Sequence, residues 1–346
     1  MDKPEVPSDP QENFSAGGKR ARAGFWFGLK LAVAVGIVTW LVQRGKLDPG
    51  MLLATGIHPW LFAGVVVFNL GVIVVAAYRW RLLLECQGIC LPFFKTIQIT
   101  FIGLFFNSFL PGGGVGGDAL RIAYGVRAAP DRRSAAVISI FVDRLVGLYT
   151  LFVLCVVVMV LNPGEVLANR PLQLLGLVAV VLVVGAPLGV VVIHLVWRRS
   201  ERLRELFGRV GILRRVEEAI VLYRRGGWRL VGVFGVSLLM QILGILSLVV
   251  LAILVGIDGV SPLGYAFVTP WTWLANVLPV SPGGIGVGEA AFDQVCRWVE
   301  PVVSGAAYGT IFFVYRISVV LASLPGLAAY LFYRDDVESA LKEAEG

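Results

Sequence analysis

Long apolar stretches are the feature of this sequence that most limits its fold. Six of them are about as long as the ~20-residue helix that crosses the hydrocarbon core of a bilayer. Charged residues make up 15% of the chain, whereas soluble domains carry about 25%. The sequence therefore excludes an ordinary soluble enzyme and predicts an all-α polytopic membrane protein. The predicted spans are 24–42, 60–77, 134–161, 172–197, 230–257 and 303–333.

Two further apolar stretches end differently from these spans. Residues 93–110 and 262–280 each run into a segment rich in proline and glycine, and a short charged helical pattern follows. Irregular backbone at membrane depth is tolerated only where protein packs against it or where it lines a wet cavity. We interpret both stretches as re-entrant hairpins of broken helices, each entering and leaving on one side of the membrane.

Basic residues indicate the orientation. Of the 30 lysines and arginines, 22 lie in alternate hydrophilic segments and only 4 in the segments on the opposite side. The positive-inside rule then places both termini in the cytoplasm, at the inner membrane of a bacterium or archaeon. Since the net charge of +7 follows topology, it predicts no nucleic-acid partner. The 22 residues lie in 1–23, 78–92, 119–133, 198–229 and 334–346.

The charge and hydropathy patterns also divide the chain into parts. Residues 1–23 are predicted to be a disordered tail, residues 24–333 a single membrane domain, and residues 334–346 a cytoplasmic tail. The loop 198–229 holds ten arginines and apolar residues at helical spacing. That pattern predicts an amphipathic helix on the anionic inner leaflet, with a solvated connector helix as the alternative.

The two breaks repeat one sequence pattern. PGGGVGGDA at 111–119 and PGGIGVGEA at 282–290 both fit P-G-G-x-x-x-G-[DE]-A. Three predicted spans lie between the copies, and an odd number inverts the second copy relative to the first. Residues 24–161 and 172–333 are thus predicted to be inverted repeats, an arrangement of transporters whose substrates bind near the bilayer midplane.

Each repeated motif combines glycines with a helix start. Glycine allows close backbone approach, and the free N–H groups at a helix N-terminus bind anions such as phosphate. The sequence therefore predicts that the glycines of both motifs contact a substrate. These candidates are Gly112, Gly113, Gly283 and Gly284.

Charged residues follow the glycines. Asp118 and Glu289 begin the next helices, where a carboxylate either stabilises its own helix or, at a wet midplane, carries a proton or binds a cationic headgroup. Arg121, one turn further on, is either an anion-binding group or a topology charge.

Three more candidates lie inside predicted spans. They are Asp143, Arg144 and Arg316. A charged side chain at that depth is energetically unfavourable, which favours a functional role, with a buried ion pair between helices as the alternative. Adjacent residues of a helix point in different directions. Asp143 and Arg144 therefore each need a partner on another helix or in a wet cavity.

Motifs of hydrolytic enzymes are missing from the sequence. It contains no GxSxG, no HExxH and no cysteine array with zinc-ligand spacing. We therefore predict a protein that is not an enzyme and that uses neither a metal nor a cofactor.

Four motifs together resemble one family. RWRLLL (79–84), GLFFNSFLPGGGVGGDALR (103–121), DRLVGL (143–148) and LPVSPGGIGVGEAAF (278–292) resemble the flippase-like membrane domain of lysylphosphatidylglycerol synthases. The resemblance covers about residues 24–333. One position departs from it, because Gly288 stands where family members often have arginine.

The resemblance implies a protein that binds polar-headed lipids or moves them across the inner membrane. It also implies that the six charged candidates line the headgroup cavity. The aminoacyl-transferring domain of the full synthases follows their membrane part, and only 13 residues follow the last predicted span here. We therefore expect a free-standing member without that activity. The six residues are Asp118, Arg121, Asp143, Arg144, Glu289 and Arg316.

The leading functional prediction is thus a lipid transporter whose partners are phospholipids or polyprenyl-phosphate lipids. Two alternatives stay open: an intramembrane enzyme acting on a polyprenyl-phosphate lipid, and a proton-coupled transporter of small anions. The sequence also leaves open whether the protein forms a homo-oligomer.

Overall fold

The computed structural model describes most of the membrane-embedded chain. The described residues are 59–109, 115–199, 228–257, 259–277, 284–300 and 306–334, with 281, 337, 339, 340 and seven residues between 35 and 43. Every regular element in these ranges is helical. We label the helices α1 (Pro59–Cys86), α2 (Phe93–Phe109), α3 (Val115–Ala128), α4 (Arg133–Leu161), α5 (Pro163–Ala168), α6 (Arg170–Arg199), α7 (Trp228–Val255), α8 (Pro262–Val277), α9 (Val287–Val299) and α10 (Tyr308–Phe332).

Five of these helices are long and apolar enough to cross a membrane. Their mean hydropathy lies between 1.8 and 2.9, and only 17–44% of each apolar window is buried inside the protein. Because so much apolar surface faces outward, the fold requires an apolar surrounding medium. A multi-pass membrane protein is therefore confirmed. The five candidate spans are Pro59–Cys86, Pro130–Leu161, Arg170–Gly189, Trp228–Val255 and Tyr308–Phe332.

These spans match five of the six predicted from the sequence. The first predicted span, 24–42, lies almost wholly outside the described residues, although those described between 35 and 42 are helical. The predicted tail 1–23 and most of the amphipathic segment 198–229 also lie outside them.

Helices α2 and α3 form an antiparallel hairpin. The ammonium of Lys95, near the start of α2, lies 4.9 Å from the ring centre of Tyr124, near the end of α3. At the other end, the backbones of Gly103 and Gly117 approach so closely that a Cβ on Gly117 would collide with the Gly103 carbonyl. The tip, 110–114, is outside the described residues.

Helices α8 and α9 form the matching hairpin in the second half. Tyr265 of α8 stacks on Phe292 of α9 with ring centres 5.9 Å apart, and Phe292 stacks on Phe312 of α10 at 5.5 Å. Broken helices at both predicted places are therefore present. That they are re-entrant, and that the halves are inverted repeats, stay predictions.

The C-terminal segment packs against the first hairpin. Val337 and Ala340 are buried in an apolar cluster with Trp80 of α1 and Tyr124 of α3. Nearer the middle of α2, its backbone lies directly against Gly326 of α10. The predicted tail 334–346 is thus, in its described part, packed against the membrane domain.

Candidate functional site

A buried carboxylate organises the charged residues of the first half. Asp143 of α4 accepts hydrogen bonds from Arg79 Nε at 2.8 Å and from Arg121 Nη1 at 3.3 Å. Arg79 also donates to Ser237 Oγ of α7 at 2.8 Å. These contacts join α1, α3, α4 and α7, and they confirm that Asp143 finds its partners on other helices.

A second ion pair lies beside the first. Arg144 of α4 donates three hydrogen bonds of 3.0–3.1 Å to the Asp118 carboxylate of α3. Arg121 Nη1 is 3.9 Å from the same carboxylate and therefore links the two pairs. We call Arg79, Arg121, Arg144, Asp118 and Asp143 the first-half cluster. Its three guanidinium groups and two carboxylates carry a formal charge of +1.

Arg121 is held from both sides. Its guanidinium carbon lies 4.5 Å from the ring centre of Trp80, a cation–π contact that suits a partly desolvated arginine. Its Nε is buried and has no hydrogen-bond acceptor among the residues that the structure describes. A buried donor without an acceptor is destabilising.

Arg144 presents its charge at the outer surface of the helices. Its side chain is 55% exposed, and the neighbouring Phe141 and Leu145 of α4 are exposed as well. Arg144 lies eleven residues into α4, about 16 Å from the start of the helix. A charged group thus lies exposed beside apolar side chains, well inside a membrane-spanning helix.

The second half holds a closed ion pair. Glu289 of α9 accepts from Arg316 Nε of α10 at 2.6 Å, and Arg316 Nη2 also donates to Asn276 Oδ1 at 2.8 Å and to the Gly284 carbonyl at 3.2 Å. Glu289 is fully buried and also accepts from the Gly286 N–H at 2.7 Å, which caps its own helix. Glu289 therefore stabilises its own helix, which is one of the roles predicted for it, and it also forms an ion pair between two helices.

The two ion pairs have equivalent places in the chain. Asp118 and Arg144 are 26 residues apart, and Glu289 and Arg316 are 27 apart. Each carboxylate lies in the first turn of the second hairpin helix. Each arginine lies in the long helix that follows. The chain therefore places one carboxylate–arginine pair at the equivalent position of each half.

The glycine candidates have different outcomes. Gly284 adopts φ +71°, a conformation that favours glycine, and its carbonyl binds Arg316. A Cβ on Gly288 would lie 3.0 Å from Arg316 Nη2 and 2.7 Å from a ring carbon of Phe312. The side chains of Phe312, Asn276 and Arg316 thus fill the space into which a side chain at Gly288 would point. The other candidates, Gly112, Gly113 and Gly283, lie outside the described residues.

Three residues of the site are absent from the candidates predicted from the sequence. Arg79 was assigned to the basic segment 78–92, but the structure places it inside α1 and buries it. Ser237 carries no charge and gives no signal in a long apolar stretch, whereas Asn276 precedes the second motif as Asn107 precedes the first. The nearly equal separations of Asp118–Arg144 and Glu289–Arg316 are a signal that could have predicted both pairs.

Comparison with known families agrees with the resemblance seen in the sequence. The profile of the family described as lysylphosphatidylglycerol synthase TM region matches residues 27–326. A comparison with curated proteins finds no match. Because the family profile covers most of its length, the chain belongs to the lysylphosphatidylglycerol synthase transmembrane-region family.

Proposed function

We propose that this protein is a lipid transporter that binds a phosphate-bearing headgroup at the first-half cluster. The observation that carries the proposal is the Arg144–Asp118 pair, which opens onto an apolar surface beside Phe141 and Leu145. A charge exposed to acyl chains is costly at this depth. A bound headgroup or a wet groove would remove that cost, and acyl chains of the same ligand would cover the apolar residues. An amphipathic ligand suits this surface better than a soluble anion does.

The charge of the cluster supports an anionic group on the ligand. Its formal charge of +1 is unbalanced, and unbalanced charge in a poorly hydrated site is destabilising. A phosphate oxygen near Arg121 and Arg144 would balance it and would make charge-assisted hydrogen bonds.

The depth of the two ion pairs supports transport rather than binding at one face. Asp118 and Glu289 each lie ten residues from the end of their helix, about 15 Å. That is half of a hydrocarbon core of about 30 Å. In the proposed mechanism the two hairpins belong to inverted repeats, and rocking of one repeat against the other exposes the headgroup site to each leaflet in turn. No enzymatic step and no cofactor is part of this proposal.

Replacement of Arg144 tests the proposal directly. Arg144→Gln removes a charged hydrogen-bonding group, worth about 1.5–3 kcal/mol, so we expect lipid transport to slow at least tenfold. The measurement is leaflet exchange of fluorescent phospholipids in proteoliposomes, followed by quenching from outside. Arg133→Gln, an exposed arginine at the start of the same helix, is the matched control and should transport normally.

Two results would contradict the proposal. Exchange no faster than in empty liposomes, across several phospholipid classes and polyprenyl phosphate, would exclude lipid transport. Uptake of a radiolabelled small anion without lipid exchange would favour the anion-transporter alternative.

A further inference from the structure

The two equivalent ion pairs differ in how easily they can open. In the Asp118–Arg144 pair the side chains are 18% and 55% exposed, whereas in Glu289–Arg316 they are 0% and 18% exposed. In the wet groove that the proposed function requires, an exposed pair contributes little to stability, whereas breaking a buried pair leaves an uncompensated charge. The first pair is therefore much less costly to separate.

The pairs also differ in how far their donors and acceptors are used. All the hydrogen bonds of Arg144 within the described residues go to Asp118. Arg316 instead binds Glu289, Asn276 and the Gly284 carbonyl together. If the Asp118 carboxylate moves away, Arg144 is ready to bind another oxygen ligand. If the Glu289 carboxylate moved away, Arg316 would still bind Asn276 and the Gly284 carbonyl.

Asp118 has a second cation close by. Arg121 Nη1 is 3.9 Å away, and within the described part of the chain the buried Nε of Arg121 has no acceptor. Arg121 itself is fixed by Asp143 and by the Trp80 ring. A carboxylate that leaves Arg144 thus has an alternative partner already in position.

We propose that Asp118 competes with the ligand for Arg144. When a phosphate group binds Arg144, it displaces the Asp118 carboxylate, which Arg121 then binds. The Glu289–Arg316 pair stays closed and serves as a structural bridge. The inference rests on the proposed function and assigns unequal roles to two pairs that the sequence motif treats alike. It makes Arg144 the ligand-binding group and Asp118 a residue that tunes affinity.

The test is a binding measurement on the full chain in detergent micelles. The probe is dihexanoylphosphatidylglycerol, and glycerophosphoglycerol and inorganic phosphate serve as probes without acyl chains. Removing an exposed competing ion pair, worth up to about 1 kcal/mol, should tighten binding about fivefold. We therefore expect both Asp118→Asn and Asp118→Ala to bind the lipid more tightly than wild type, and Arg144→Gln to bind it at least tenfold more weakly. Tighter binding of the lipid than of both probes without acyl chains identifies a lipid site.

Glu289→Gln is the matched control, because it alters the equivalent carboxylate. It should lower the melting temperature and should not tighten binding. Weaker or unchanged binding by both folded Asp118 variants would overturn the inference while leaving the proposed function intact, provided that wild type exchanges lipids. A wild-type protein that neither binds the lipid probe nor exchanges lipids would overturn both.

Discussion

Replacing Asp143 by asparagine is expected to lower the free energy of unfolding by about 3–5 kcal/mol. The carboxylate is the shared acceptor of Arg79 and Arg121, and all three side chains are buried. Asparagine has nearly the same shape but no charge, so Arg79 would lose its carboxylate partner in a poorly hydrated site, and Arg121 would keep only the Asp118 carboxylate, 3.9 Å away. We expect this to be the largest effect of a single charge removal in the first half.

Denaturant unfolding of the purified protein in micelles measures this change. The control is Asp131→Asn, because Asp131 is an exposed aspartate shortly before α4 and its loss should change stability by less than about 0.5 kcal/mol. An Asp143→Asn protein as stable as this control would show that the buried cluster does not hold α1, α3 and α4 together.

Gly117→Ala is expected to separate the helices of the first hairpin. A Cβ at Gly117 would collide with the carbonyl group of Gly103 and would lie 2.7 Å from Asn107 Oδ1. Inserting a carbon into a packed site costs about 1–3 kcal/mol, and here the effect should reach the upper end, because a backbone carbonyl cannot rotate away as a side chain can. The hydrogen bond from the Gly117 N–H to Asn107, 2.7 Å long, should be lost as well.

The same unfolding measurement tests this substitution. Gly71→Ala is the control: a Cβ at Gly71 of α1 would have no atom within 4 Å, so the variant should be as stable as wild type or slightly more stable. Equal stability of the two alanine variants would contradict the close helix contact described for this hairpin.

Much of the architecture was predictable because it depends on local patterns. Five spans and both broken helices follow from the length of apolar stretches and from the proline and glycine that interrupt them. The charged candidates could also be found, since Asp118, Asp143 and Arg316 are conspicuous in an apolar sequence. Which charge pairs with which could not be predicted, because no local pattern encodes contacts across 64 or 158 residues, such as those from Arg79 to Asp143 and to Ser237.

The difference in exposure between the two ion pairs could not be predicted either, and for the same reason. The motifs at 111–119 and 282–290 are nearly alike, yet Arg144 reaches an open apolar surface and Arg316 reaches a closed site lined by Phe312, Asn276 and Gly284. Residue type and spacing determined that this chain is a helical membrane protein with charged groups at two breaks. Only the tertiary structure decided the burial of each charge, because burial depends on which distant helices pack around it.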